Sequence, residues 1–413
     1  MHDPLISSAG PMDDVRPIPE PIPPNRESAN STVKIGVPKE IKPQENRIAL
    51  TPAGAEQLIH DGHQVFVEGS GGLGSGFTDQ AYEAAGCTVL ADVDDVWGES
   101  EMILKVKEPL AAEWPRLRAE QTLFTYLHLA ASRPLTEALM ERGAACFAYE
   151  TLEVGRTLPL LTPMSEVAGR MSIQAGAKAL EKAQGGSGIL LGGVPGVKRA
   201  QVLVLGGGIV GVNAARMACG LGADVTIMDI DLDKLRELDQ TMPANCRTVF
   251  SSPASIREHL TFADLVVGAV LIPGAAAPKL VRREHLKTMK PGSVIVDVAV
   301  DQGGCVETCK PTTHAEPTFE VDGVVHYCVA NMPGAVPQTS TVALTNATLA
   351  WTRRLANVGP WKGIQSSREL ATAANVLDGK VVYKGVADAF DGIDFHDPVE
   401  IAKGREPEAS LSR

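Results

Sequence analysis

A chain of 413 residues, 44% hydrophobic and 21% charged, is long enough for two domains with substantial cores. Its net charge of −12, with no basic stripe, argues against nucleic acid as a partner. Seven scattered cysteines point to reduced thiols in a cytoplasmic protein, and no apolar run approaches the roughly 20 residues that a membrane span requires.

Residues 1–32 are crowded with proline (Pro17, Pro19, Pro21, Pro23, Pro24) and read as a disordered tail rather than a signal or transit peptide. The folded part is expected to start with a buried strand from Val33 to Val37. A helix over Pro52–His60 follows, then the strand Gln64–Val67. Gly69, Gly71 and Gly74 next satisfy G-x-G-x-x-G, with Asp92 downstream, but no helix opens at the third glycine. The stretch therefore reads as a flexible loop beside a cleft, ending where Asp79 caps a helix. Strands at Thr88–Leu90 and Met102–Val106, a helix over 111–119, a strand at Thr122–Leu127, a helix over Pro134–Arg142 and a strand at Ala145–Tyr149 complete a β/α alternation. A long amphipathic helix over Ser165–Ala183 leads into the second half.

There, Gln201–Asp229 reads as strand, glycine turn, helix and strand. Gly206, Gly208 and Gly211 carry the fingerprint spacing: the first permits a tight turn, the second lets backbone approach a pyrophosphate, the third lets the helix pack on the strand. The helix start then offers free N–H groups to phosphate. Asp229, roughly 23 residues past the first glycine, stands where an acid binds ribose hydroxyls and repels a 2′-phosphate, which favours NAD over NADP. Strands at Leu265–Val267 and Ser293–Val296 follow, and the chain turns helical again over Thr339–Leu355.

This pattern predicts an α/β protein of two doubly wound domains, the second a Rossmann NAD-binding domain inserted mid-chain. The expected limits are 33–163 with 338–391 for a discontinuous substrate (catalytic) domain, 164–337 for the Rossmann domain, and 392–413 for a tail.

Few side chains stand out as chemical groups. His128 follows an apolar strand and should project at its carboxyl end, with a pKa suited to proton transfer near neutrality. Lys105 and Lys107 should share one strand and one face, so spacing does not choose between them. Arg47 follows the first strand, where a guanidinium could hold a carboxylate with two hydrogen bonds. Asp297 and Asp301 bracket the end of another strand; the first reads as structural, the second as facing the nicotinamide position. Cys305, Cys309 and His314 fit no usual zinc spacing, and no metal is expected.

With Arg47, Lys107 and His128 in view, the chain resembles the alanine dehydrogenase and pyridine nucleotide transhydrogenase family from Val33 to about Asp391. The resemblance rests on Gly36-Val-Pro-Lys-Glu40, Glu45-Asn-Arg-Ile-Ala-Leu-Thr-Pro52, Leu104-Lys-Val-Lys-Glu-Pro109, Phe124-Thr-Tyr-Leu-His-Leu-Ala-Ala-Ser132, Pro163-Met-Ser-Glu-Val-Ala-Gly169, Gly192-Gly-Val-Pro-Gly-Val197, Asp301-Gln-Gly-Gly-Cys305 and Val329-Ala-Asn-Met-Pro333. It implies His128 and Asp301 as acid/base groups, Arg47 on the substrate carboxylate and Lys107 on the substrate oxygen. It further implies NAD contacts from Ser165 at a helix start, from the N–H groups of Ile209 and Val210, from Lys234 and Ser251 flanking the adenosine, and from Val270 and Leu271 around the adenine and ribose. Val298, Ala299 and Val300, with Val329, Ala330, Asn331 and Met332, would line the nicotinamide. The implied activity is reversible NAD-dependent oxidative deamination of L-alanine to pyruvate and ammonium, by a homohexamer with no membrane partner. The alternatives are the NAD-binding module of a proton-translocating transhydrogenase and a non-catalytic NAD-binding protein.

Overall fold

Two parallel sheets organise the computed structural model, which describes residues 32–270, 277–300 and 303–405. The first is built from β1 (Lys34–Val37), β2 (Gln64–Glu68), β3 (Thr88–Leu90), β4 (Met102–Leu104), β5 (Thr122–Thr125) and β6 (Ala145–Ala148). The second contains β7 (Gln201–Leu205), β8 (Asp224–Asp229), β9 (Cys246–Phe250), β10 (Leu265–Gly268), β11 (Val294–Asp297), β12 (Thr318–Val321) and β13 (Val324–Tyr327). The chain then returns to the first sheet with β14 (Ala374–Leu377), antiparallel to β6, and β15 (Lys380–Val381), antiparallel to β14.

Both sheets share one logic. The parallel strands run β3-β2-β1-β4-β5-β6 in the first and β9-β8-β7-β10-β11-β13 in the second. Each order reverses direction once, between β1 and β4 and between β7 and β10. At such a switch point the loops leaving adjacent strands part in opposite directions and open a crevice at the carboxyl ends. The inner strands are buried on both faces by flanking helices, so they read as continuous apolar runs such as Val-Leu-Val-Leu in β7.

Two long helices join the halves. The first, Thr162–Ala179, lies so close to the glycine-turn helix Ile209–Gly220 that a Cβ at Gly169 would collide with the Val210 carbonyl. The second, Pro337–Val358, brings the chain back and buries Ser340, Thr341 and Thr345; Thr341 Oγ1 accepts the Ile48 amide at 3.1 Å.

Several expectations change here. The stretch 111–119 forms only a 3-10 turn, Trp114–Arg116. Pro115 supplies no N–H, and the Glu113 carboxylate folds back onto the Leu110 amide at 2.8 Å. A helix forms instead at Val93–Glu99, capped by Asp92, whose side chain accepts the Asp94 amide. The helix after the first glycine-rich loop is capped by Thr78, with Asp79 inside its first turn and bonded back to the Ser70 amide. That loop is anchored rather than flexible. Ser75 is fully buried, and its hydroxyl bonds the Asn46 carbonyl at 2.9 Å and Thr341 Oγ1 at 2.8 Å. Nor is 392–413 simply a tail, because Pro398–Lys403 is a helix whose Ala402 is wholly buried against the first core. The proline-rich stretch 1–31 lies outside the described residues.

Candidate active site

Three loops at the switch point of the first sheet carry the polar groups: those after β1, β4 and β5. Arg47, from the loop after β1, is only 2% exposed. Its Nε and Nη2 grip the two oxygens of Glu45 at 2.7 and 2.6 Å, and Nη2 also donates to Asn331 Oδ1 at 2.7 Å. Asn331 returns a bond from Nδ2 to Glu45 at 2.9 Å. Asn331 comes from the second lobe, just after β13, in a left-handed backbone conformation (φ 65°). This triangle therefore ties the two lobes together at the cleft. Burial alone would raise the Glu45 carboxyl, but the Arg47 guanidinium and the Asn331 amide overcome it and hold the pKa at about 2.

Lys105 and Lys107 do not share one strand or one environment, because β4 ends at Leu104. Lys105 is fully buried between Glu113 (2.8 Å) and Glu40 (3.2 Å); burial opposes its charge, but the two carboxylates keep it protonated. Glu40 also accepts the amides of Val106 and Lys107, which fixes the turn that presents Lys107. Lys107 is half-buried beside the like charge of Arg47, so burial first and the guanidinium second lower its pKa. The geometry thus separates a structural lysine from one at the site.

His128 sits at the end of the β5 loop with φ 51°, a left-handed conformation uncommon outside glycine. Glu150 stabilises this turn by accepting the amides of Leu127 (3.0 Å) and His128 (2.6 Å). The imidazole stacks over Tyr126, with centroids 5.8 Å apart, and its Nδ1 lies 3.1 Å from Glu108 Oε2. The other oxygen of Glu108 takes Lys42 Nζ at 2.5 Å. Burial again acts to raise Glu108, yet His128 and Lys42 bring it down to about 2.

The second switch point forms the nucleotide cradle. Gly206 has φ 105°, and a Cβ there would sit 2.8 Å from the Ala269 carbonyl; a Cβ at Gly211 would overlap the Gly206 carbonyl. Nothing lies within 4 Å of where a Cβ at Gly208 would point. Gly208 caps the helix with no side chain on its first N–H groups, so Ile209 and Val210 open it toward this space. A tight turn, an unobstructed approach and an uncapped helix start fit a pyrophosphate. Asp229 closes β8, with Oδ2 accepting the Gly207 amide at 2.6 Å and Oδ1 the Asp231 amide at 2.9 Å. Each oxygen retains lone-pair capacity for a ribose hydroxyl.

Ser251 is next to this acid, its amide donating to the Asp229 carbonyl at 2.9 Å, and Val270 borders Gly206. Val298, Ala299 and Val300 follow β11, and Val329, Ala330 and Met332 follow β13 beside Asn331. Two expected contacts look different. Ser165 lies a full turn inside its helix, which begins at Thr162, and its amide bonds the Leu161 carbonyl. Lys234 pairs with Glu237 on its own helix at 2.7 Å. Asp297 is buried and accepts the amides of Ala299 and Val306, a structural pairing as expected. Asp301 and Leu271 lie outside the described residues. Glu40, Glu45 and Glu108 stand inside the quoted motifs but were given no role from the sequence, and Glu150 only follows a strand end.

Comparison with known proteins gives the family and agrees with the fold. The profile "Alanine dehydrogenase/PNT, N-terminal domain" matches residues 36–168, and "Alanine dehydrogenase/PNT, C-terminal domain" matches residues 172–384. An alanine dehydrogenase of Halomonas elongata is 58% identical over 364 residues, covering 88% of this chain and 98% of the relative. One from Bacillus subtilis is 57% identical over 354 residues, 86% of this chain and 93% of its own. Among solved structures, an L-alanine dehydrogenase superimposes with a TM-score of 0.84 at 52% identity, covering 86% of this chain and 99% of that one. A transhydrogenase from Sinorhizobium meliloti gives 0.75 at 26% identity, covering 84% and 100%.

Proposed function

We propose, from the premise that this chain belongs to the alanine dehydrogenase/PNT family, that it catalyses the reversible NAD-dependent oxidative deamination of L-alanine to pyruvate and ammonium. The observation that carries the reading is the meeting of Arg47, Lys107 and His128 at one switch point, bonded through Asn331 to the lobe with the nucleotide cradle. The likeness to alanine dehydrogenases exceeds that to the transhydrogenase in identity and TM-score, which favours a complete substrate site over a nucleotide-binding module alone.

The Gly206–Gly211 turn would hold the NAD pyrophosphate and Asp229 the adenosine ribose, flanked by Ser251, Val270 and Lys234. NAD, when bound, supplies the hydride acceptor. The chain's own residues orient and move protons. Nε and both Nη2 N–H groups of Arg47 are committed and Nη1 contacts Met164 Sδ at 3.0 Å, so the remaining Nη1 N–H would meet the substrate carboxylate. Lys107 holds the substrate oxygen. Fixing these groups places Cα in one orientation, which supplies much of the rate. Once Cα has lost its hydride, water adds to the iminium and gives a proton to His128; as the carbinolamine collapses to pyruvate, its hydroxyl proton and the proton returned by His128 leave with the nitrogen as ammonium. Asp301 is the second acid/base group by resemblance. A cytoplasmic homohexamer completes the proposal; the seven free thiols support a reducing compartment, and no described helix is long and apolar enough to cross a membrane.

NADH formation from L-alanine and NAD by the purified full-length protein is the direct test. Absence of NADH formation, and of NADH oxidation by pyruvate with ammonium, would sink the reading. His128→Ala should lower turnover by roughly 10²–10⁴-fold while NADH affinity and melting temperature stay near wild type.

A further inference from the structure

The sequence offers no partner for His128, but the structure does. We propose that Glu108 is the positioning residue of His128, holding the ring by Nδ1 so that Nε2 is the atom that exchanges protons with the substrate, and that Lys42 tempers this hold from the far side of the same carboxylate. The proposal rests on His128 being the acid/base group of the reaction above.

The geometry supplies the tautomer. Nδ1 is 3.1 Å from Glu108 Oε2, and an ionised carboxylate only accepts hydrogen bonds, so Nδ1 carries the hydrogen. Its depressed pKa keeps Glu108 ionised across the working range. Among the described residues no hydrogen bond reaches His128 Nε2, which is left free for substrate or water. The ring cannot readily turn to reverse the assignment: Tyr126 stacks beneath it and Glu150 fixes the backbone from which it projects. Neutral His128 therefore presents a lone pair at Nε2, the form needed to take a proton from attacking water. Imidazolium presents an N–H there, the form needed in the reverse direction.

Electrostatics give the two flanking charges opposite signs. Glu108 stabilises the imidazolium by direct contact. Lys42 pairs with Glu108 at 2.5 Å and offsets part of that stabilisation. The other charges nearby are Glu150, on the backbone side of His128, and Lys107, whose neighbours include Glu108, Lys42, Arg47 and Glu45. Neither Glu150 nor Lys107 is altered in the test below.

The test is the pH profile of kcat/KM for L-alanine at saturating NAD, in the full-length protein, its two glutamine variants and Glu108→Asp. Alanine oxidation needs neutral His128, so the rate falls on the acid side as the ring gains its proton. Glu108→Gln removes the stabilising charge and should move that acid limb about one pH unit lower, the small end of the effect of a close opposite charge. Lys42→Gln removes the opposing charge and should move it higher, by about half as much. Glu108→Asp should restore the limb toward wild type. A merely structural Glu108 would change stability without moving the limb in opposite directions in the two variants. Limbs that coincide in the wild type and the two glutamine variants, or move the same way, overturn the proposal. If Glu108→Gln does not fold, the half-exposed Lys42→Gln decides alone, since an unmoved or lowered limb is then sufficient to reject it. A wild-type protein that makes no NADH from alanine fails earlier, on the underlying reading.

Discussion

A guanidinium has five N–H donors, and Arg47 has committed three of them to Glu45 and Asn331 before any substrate arrives. The arginine is held in one plane at the joint between the lobes, so substrate and cofactor sites share a structural member. Arg47→Lys keeps the charge but not the fork. It should raise KM for pyruvate by roughly 10–100-fold, the equivalent of about 1.5–3 kcal/mol for a hydrogen bond to a charged group. Direct NADH titration should show little change; loss of NADH binding to the same degree would refute this division of labour. Asp229 makes a separate prediction. Its carboxylate lies at the end of β8, against the amide of Gly207, where a 2′-phosphate would meet its charge. Asp229→Ser should narrow the ratio of kcat/KM for NAD over NADP, and a wild type that uses both equally would show that the acid does not discriminate.

At the scale of elements, the glycine turn and its helix have no slack. A methyl group at Gly211 would overlap the Gly206 carbonyl, whereas one at Gly208 meets nothing in the protein. Gly211→Ala should therefore lose NADH binding and melting temperature together, while Gly208→Ala should lose NADH binding with the melting temperature kept. Calorimetry and fluorescence titration distinguish the two. Such turns were legible because glycine spacing and flanking apolar runs are local, and β1 to β8, where strand and helix alternate closely, could be read for the same reason. The helix expected over 111–119 failed at Pro115, with Glu113 serving the Leu110 amide and the buried Lys105 instead. The pairing of β14 with β6 was hidden, since it joins residues more than two hundred positions apart. At the site, Arg47, Lys107 and His128 stood out by motif. The carboxylates that aim them carried no role there, because Glu40, Glu45, Glu108 and Glu150 acquire theirs only when the loops after β1, β4, β5 and β6 meet at one crevice.

Over the whole molecule, acid should weaken the fold in two windows. His63 and His326 are buried, and burial lowers both pKa values. A histidine that stays neutral in the fold contributes stability fully above its unfolded pKa of about 6.5 and loses it as pH falls below that value. Glu45 and Glu108, held at about 2, act lower: their contribution is present above the unfolded value of about 4.3 and lost as pH falls toward 2. Melting temperature should therefore drop first between about pH 6.5 and 4.5, and His326→Gln should flatten that first drop alone. A wild-type melting temperature constant across that interval would contradict the assignment.

The return of the chain to its first sheet also sets a schedule for synthesis. When the ribosome has completed β6, the edge of that strand has no neighbour until β14 is made, roughly 225 residues later. At about 5–20 residues per second the wait is on the order of 10–45 s. Throughout it the nascent protein displays Ala-Cys-Phe-Ala, fully buried in the finished fold, beside unpaired backbone amides and carbonyls. An open, apolar strand edge is a template for pairing with another chain. The second lobe's wait is shorter, because β7 needs only β10, about 60 residues later, to close its other edge. The lobe that binds the nucleotide can thus close while still tethered to the ribosome, and the lobe that carries Arg47, Lys107 and His128 matures last, dependent on shielding until its final strands emerge.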